Sequence, residues 1–243
     1  FKLALRFLPS FVKLMGAKNF FSLVFNFIPE LWLILTYGMP KLTLLVEFDE
    51  DEAKIITEKI NQLDKALKGM PLKTKIIQDE KEMQKYWAIR RESFNLLRHK
   101  IKDKQTAPFV DDIIVRPEFL PEFLPQLYKI LNKYELLYTI AGHMGDGNFH
   151  IIPLMRLADL SEREKIAPAT KEINGLVLKF KGSITAEHND GLIRSPFLKD
   201  MFGERICRLF EETKDAFDSE NIFNPGKKVN ASLDYAMSHI KQS

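Results

Sequence analysis

After Gly38-Met39-Pro40, the apolar run Lys41 to Phe48 (KLTLLVEF) has the length and bounds of a strand. From Asp49 to Leu67 apolar residues then recur at helical spacing behind an acidic first turn. The succession returns as a short strand over 73–78 and a helix over 80–97 that holds Trp87, Arg90 and Arg91. A third cycle places a strand at Asp112 to Val115, a break at Arg116-Pro117 and a helix at Glu118 to Tyr134. Two further strands, Tyr138 to Ala141 and Phe149 to Leu154, flank a glycine-rich turn. The connections are too short for large crossovers, so the pattern predicts an α+β layering, an antiparallel sheet with helices on one face in the manner of a ferredoxin-like cap.

The last third changes character. Leu160 to Phe180 and Asp200 to Phe217 carry the periodicity of long helices, and the segment Gly182 to Pro196 between them is rich in glycine and polar residues. An irregular segment between two helices is a favourable place for chemistry, because loops on a rigid scaffold carry most binding residues. From Asn230 onward the tail reads as a short helix or frayed end. The expected organisation is an N-terminal connecting segment over 1–37, an α+β subdomain over 38–160, and a mostly helical C-terminal portion over 161–243.

Composition narrows the function classes. The formal charge is +3, with 36 basic residues scattered among 33 acidic ones, which argues against a nucleic-acid footprint. A single cysteine, Cys207, excludes an internal disulfide framework and any cluster built from several thiolates, and it fits a reducing, cytoplasmic setting. Phe20 to Leu35 is rich in Phe, Leu, Ile and Trp, but Asn26, Pro29 and Glu30 interrupt it, and it falls short of the roughly 20 apolar residues of a spanning helix. The expectation is that this stretch packs on a neighbouring domain, with peripheral membrane contact as the alternative. A sequence opening at Phe1 reads as part of a longer protein.

The most informative segment is Gly142-His143-Met144-Gly145-Asp146-Gly147-Asn148-Phe149-His150, where two histidines stand seven apart across a turn. Glycines at 145 and 147 allow positive φ, so the chain can fold back and let both rings converge. Imidazole suits zinc and other first-row divalent ions, and two histidines need one carboxylate to complete a three-ligand site with open positions. Glu187, in Thr185-Ala186-Glu187-His188-Asn189-Asp190-Gly191, is one candidate, and Asp146 is its rival. His99 and His239, near helix ends among charged neighbours, read as structural residues.

GHMGDGNFH, then GSITAEHNDGLIR, then Asn221-Ile222-Phe223-Asn224-Pro225-Gly226-Lys227 resemble, in order, three signatures of the C-terminal domain of FAD-linked oxidases. That family includes D-lactate dehydrogenase, the glycolate oxidase flavin subunit and D-2-hydroxyglutarate dehydrogenase. The resemblance spans roughly residues 40 to 230 and takes in Trp87-Ala88-Ile89-Arg90 and the strand at 112–115. It implies that His143, His150 and Glu187 bind a divalent metal, zinc or manganese, and that the metal holds the substrate's carboxylate and 2-hydroxyl. It implies further that Arg90 pairs with a substrate carboxylate, that Asn148 adds a hydrogen bond to substrate, and that His188 takes the hydroxyl proton. Asn224 and Lys227 would then lie near the flavin ring.

The implied activity is oxidation of a small D-2-hydroxy acid to the 2-oxo acid by an FAD-dependent dehydrogenase. FAD would be held mainly by an N-terminal domain of the same polypeptide, so that residues 1–243 alone are expected to be inactive. The sequence departs from the commoner pattern at Asn189-Asp190-Gly191-Leu192-Ile193-Arg194, which resembles a branch that joins the flavin enzyme to an iron–sulfur module. Such a module or subunit is the expected electron acceptor, and a homodimer is compatible with the family. Val110 stands where the hydroxyglutarate enzyme has a substrate-binding lysine, leaving Arg194 or Lys104 to supply a second carboxylate contact. The contrasting reading is a metal-binding or sensory module without redox activity. Metal-assisted hydrolysis, with Glu187 or His188 as base, is a further rival that draws on the same residues.

Overall fold

The computed structural model describes Leu35 and residues 43–84, 86–88, 90 and 103–240, so most of the connecting segment expected over 1–37 lies outside the described residues. The chain divides into two compact units, Phe1–His99 and Lys100–Ser243.

In the first unit, helix α1 (Ala53–Leu67) occupies the expected place. Residues 80–84, 86–88 and 90 are helical as well, with Asp79 accepting the Glu82 amide at 2.9 Å as an N-cap; the rest of the helix expected to 97 lies outside the described residues. The two strands expected here do not form among the described residues: neither 43–48 nor 73–78 enters a ladder. Leu44 and Val46 are exposed, and an apolar run makes a strand only where a second strand pairs with it.

The second unit is built on four antiparallel strands, β1 (Gln105–Thr106), β2 (Val110–Ile114), β3 (Leu137–Ala141) and β4 (Asn148–Met155). β4 is the centre: β3 pairs along one edge, while β2 and β1 follow one another along the other. Period-two alternation divides β4 cleanly. Phe149, Ile151 and Met155 point into the main core, and Asn148, His150, Ile152 and Leu154 face the opposite side.

Two helices cover the first face. Helix α2 (Leu120–Lys133) follows a 3-10 turn (Pro117–Phe119) and buries Phe123, Leu127 and Leu131, one residue per turn. Pro121 lies in its first turn, where no N–H is needed, and Glu122 and Lys133 complement the ends of the helix dipole. The Phe123 ring packs 6.2 Å from Phe149 and 5.6 Å from Phe180, each pair adding roughly 0.5–1.5 kcal/mol beyond burial. The long helix expected from 160 is broken into α3 (Leu160–Arg163), capped by the Asp159 carboxylate on the Ser161 amide, and α4 (Ile166–Lys179), which buries Ile166, Ala169, Ile173 and Val177. The architecture is α+β with an antiparallel sheet and helices on one face, as the pattern predicts.

The segment over 182–196 is irregular up to a short helical turn, α5 (Gly191–Arg194), and a 3-10 turn (Ser195–Phe197). Helix α6 (Leu198–Phe217) starts two residues earlier than expected and kinks at Gly203, whose φ of 75° and ψ of 169° leave the helical region. A last helix, α7 (Leu233–Ser238), forms the tail, with the Ser232 hydroxyl capping the Tyr235 amide.

Candidate metal and substrate site

The β3–β4 hairpin sets the two histidines. The His143 amide donates to the Asn148 carbonyl at 3.1 Å and the Asn148 amide donates back at 3.2 Å, which closes a four-residue loop from Met144 to Gly147. Gly142 and Gly147 take positive φ, of 152° and 73°; Gly145 does not, contrary to the expectation for that position. The loop is pinned to β2 by the Val115 amide, which donates to the Gly147 carbonyl at 3.0 Å.

β2 contributes two adjacent carboxylates through a bulge. Asp111 pairs with His150 and Ile113 with Phe149, so Asp112 is an extra residue, and its φ of 67° marks the distortion. A regular strand would send Asp112 into the apolar core. The bulge instead lets Asp111 and Asp112 share the side of the sheet that carries Asn148 and His150. Asp111 Oδ1 lies 2.9 Å from His150 Nδ1, directly across the ladder.

Asp112 is completely buried. Its carboxylate accepts the amides of Ala186 at 2.9 Å, Glu187 at 3.1 Å and His188 at 2.9 Å, and the Asn148 side-chain amide at 3.1 Å. Burial pushes this carboxyl up, but the hydrogen bonds from His188, Ala186, Glu187 and Asn148 outweigh it and hold the group below the ordinary aspartate range.

Three imidazoles converge on one oxygen. Glu187 Oε1 lies 3.0 Å from His150 Nε2, 3.4 Å from His188 Nε2 and 3.5 Å from His143 Nε2. The His150 ring stands 5.9 Å from His143 and 5.1 Å from His188, centroid to centroid. Ligand-type atoms of Asp112, His150, Glu187 and His188 lie within 4.8 Å of one another, a grouping that contains Asp112 and omits His143. The hydrogen bonding favours the other choice: Asp112 has its lone pairs taken by amides, whereas His143 Nε2 points at the shared Glu187 oxygen.

This donor set fits a divalent ion. Nitrogen donors and one carboxylate suit zinc and its first-row neighbours, and a carboxylate on His150 Nδ1 is the outer partner that leaves Nε2 to face an ion. Asp146, the rival ligand in sequence, is absent from the cluster.

The other expected residues lie as follows. Asn148 is buried, its Nδ2 on Asp112 and on the Ile113 carbonyl, and its Oδ1 without a protein partner. Arg90 belongs to the first unit, where its guanidinium stands 5.4 Å from the centre of the Trp87 ring. Asn224 and Lys227 are exposed on a turn, with Lys227 Nζ donating to Asn224 Oδ1 at 3.2 Å. One amide and one cation are too few for the phosphates and ribose of a dinucleotide, so these residues fit only an edge of a bound FAD. His239 has its Nδ1 at 2.7 Å from the Tyr235 carbonyl, in line with a structural role, and His99 lies outside the described residues.

The sequence pattern does not disclose the roles of Asp111, Asp112 and Asp190, and it offers Arg194 for a substrate carboxylate rather than for the main-chain contacts it makes. Asp111 and Asp112 organise the cluster, and the signal was available: two adjacent acids at the head of an apolar strand cannot both follow a period of two. Arg194 is buried and donates to the Asp111 carbonyl at 2.6 Å and to the Asn189 carbonyl, which makes it a tether of the 189–194 segment. Asp190, also buried, forms an ion pair with Lys228, just beyond the Asn224–Lys227 turn.

The second unit is thus a mixed sheet-and-helix fold that carries a histidine–carboxylate cluster on the polar face of its sheet. The chain belongs to the family described as FAD linked oxidases, C-terminal domain, which it matches over residues 24–228. It is 25% identical to D-2-hydroxyglutarate dehydrogenase of Escherichia coli K12 over 190 residues, covering 75% of this chain and 19% of that protein. It is 30% identical to the glycolate oxidase subunit GlcD of Bacillus subtilis 168 over 207 residues, covering 82% of this chain and 43% of that protein. The chain thus spans less than half the length of either relative. In solved structures its fold resembles 4-ethylphenol oxidase from Gulosibacter chungangensis in its isoeugenol complex, with a TM-score of 0.54 and 16% identity, over 73% of this chain and 37% of that one. Among the described residues no helix is long and apolar enough to cross a membrane.

Proposed function

We propose that this chain is the substrate- and metal-holding part of an FAD-dependent dehydrogenase that oxidises a D-2-hydroxy acid to the 2-oxo acid. The observation that carries the reading is the convergence of His143, His150 and His188 on Glu187 Oε1. The names of the relatives, a D-2-hydroxyglutarate dehydrogenase and a glycolate oxidase subunit, supply the substrate class.

In this reading His143, His150 and Glu187 hold a zinc or manganese ion. When bound, the ion supplies positive charge to the substrate's carboxylate and 2-hydroxyl oxygens, and FAD supplies the two-electron acceptor. His188, half-exposed beside Glu187, takes the hydroxyl proton at Nε2. Asn148 adds a hydrogen bond to substrate, and Arg90 pairs with a substrate carboxylate, a task suited to a planar, permanently charged guanidinium. Asn224 and Lys227 border the flavin, most of which is held by an N-terminal domain, and an iron–sulfur module or subunit receives the electrons.

The test has two readouts. His143→Ala and His150→Ala each lose bound metal, measured on the purified chain, and retained metal in both sinks the ligand assignment. In the longer protein that carries the flavin domain, D-2-hydroxy acids bleach the flavin and L isomers do not. Metal binding without any bleaching would instead favour a metal-binding module that lacks redox activity.

A further inference from the structure

Glu187 sits in a segment with no regular secondary structure, so something other than a helix or strand must fix it. The amides of three consecutive residues, Ala186, Glu187 and His188, all point at the Asp112 carboxylate. Successive N–H groups converging on one anion form a nest, and here the anion belongs to the chain itself. The carboxylate is reached from the opposite side by Asn148 Nδ2, and Arg194 lies 3.8 Å from Oδ2. An ionised carboxylate has about four lone-pair sites, and four N–H groups occupy them here. Asp112 therefore has no acceptor capacity left for an ion or a substrate, although its oxygens lie within 4.8 Å of the cluster's ligand atoms.

We propose that Asp112 is a positioning residue, a buried staple that holds Glu187 and His188 against the imidazoles of the β3–β4 hairpin without touching ion or substrate. The bulge is what makes the staple possible, since a regular β2 would point this side chain into the core. Of the pair, Asp111 orients His150 from the strand side, and Asp112 delivers the loop side. The role deepens the metal reading above and rests on it only for its effect on the ion.

Two variants suit the bulge, because asparagine and glycine both accept the φ of 67° at this position: Asp112→Asn and Asp112→Gly. The first readout needs neither metal nor activity. In the wild-type, metal-free chain, amide hydrogen exchange at 186–188 is slow, and both variants speed it by at least about tenfold. Fast exchange at these amides in the wild type, or unchanged protection in a folded variant, overturns the staple even if one variant fails to fold.

The second readout is affinity for zinc alone, by competition with a chelating dye. Each variant weakens it by about 10–100-fold, the range typical of lost outer-shell partners. In a Glu187→Ala background, Asp112→Asn changes the affinity by less than about threefold, because a residue that acts through Glu187 has nothing left to position. An equal loss in both backgrounds would make Asp112 a ligand in its own right and refute the positioning role. If the wild-type chain takes up no zinc, the metal reading fails on its own, and the exchange data still decide whether the staple exists.

Discussion

Gly147 stands at the exit of the hairpin loop, and a Cβ placed there would lie 1.8 Å from the Val115 carbonyl oxygen, which is backbone and cannot swing aside. With its φ of 73°, the position is strained for any other residue as well. Gly147→Ala should cost above about 4 kcal/mol or prevent folding, as read from the denaturant midpoint. Gly145→Ala, with open space around its Cβ, is the matched control and should fall within about 1 kcal/mol of wild type. At this scale the sequence was informative wherever chemistry is local. His143, His150, Glu187 and His188 stand out in the sequence as imidazoles and a carboxylate in glycine-bracketed turns, and their side chains lie together around Glu187 Oε1. Asp112 was harder to read, because its role depends on a one-residue shift of register that only the pairing of Asp111 with His150 and Ile113 with Phe149 reveals. Arg194 carried the opposite lesson: a guanidinium near an expected substrate pocket turns out to be bonded to main-chain carbonyls.

Among the elements, the clearest electrostatic joint closes helix α6. Asp218 accepts the amides of Ile222 and Phe223, each at 2.9 Å, and pairs with Lys214 one turn earlier. The bond with Lys214 lowers the Asp218 pKa, burial opposes it, and the two amides lower it further. A carboxyl whose folded pKa lies below its unfolded one stabilises the fold above the unfolded value, and that contribution is lost as pH falls through the folded value. Asp218→Asn should therefore be less stable than wild type at pH 7, and the gap should close below about pH 4, in paired denaturant titrations. A gap independent of pH would mean that the joint owes nothing to charge. Helix α2 and strands β2, β3 and β4 are legible from apolar patterning, most clearly where it matches a buried face, as Phe123, Leu127 and Leu131 do, whereas the two-residue β1 has no such signal. The apolar runs at 43–48 and 73–78 predict strands that do not form among the described residues, since strand formation depends on a second strand that local pattern cannot supply. The break between α3 and α4 was also hidden, because the apolar period continues across it.

For the molecule as a whole, the candidate ligands His143, His150 and Glu187 all fall within Lys100–Ser243, so an ion bound there stabilises that unit. At a free zinc concentration one hundred times its Kd, unfolding of this unit should cost about 2.7 kcal/mol more, and a chelator should abolish the gain. His150→Ala should remove the zinc dependence altogether, whereas a zinc-induced gain that survives in this variant would place the ion elsewhere. Membership of the FAD-linked oxidase C-terminal family could be read from three ordered motifs, because each marks a turn whose backbone leaves little choice of residue.

The bulge in β2 also separates two kinds of evolutionary freedom. On its core side, Ile113 and Val115 are buried, and packing is what constrains their side chains. On its other side, the carboxylates keep their aim only while the residue count between Asp111 and Ile113 is unchanged. A single-residue deletion there would leave the composition of the strand almost intact and still disconnect the sheet from the loop, so insertions and deletions at this point are a sharper guide to lost chemistry than substitutions nearby.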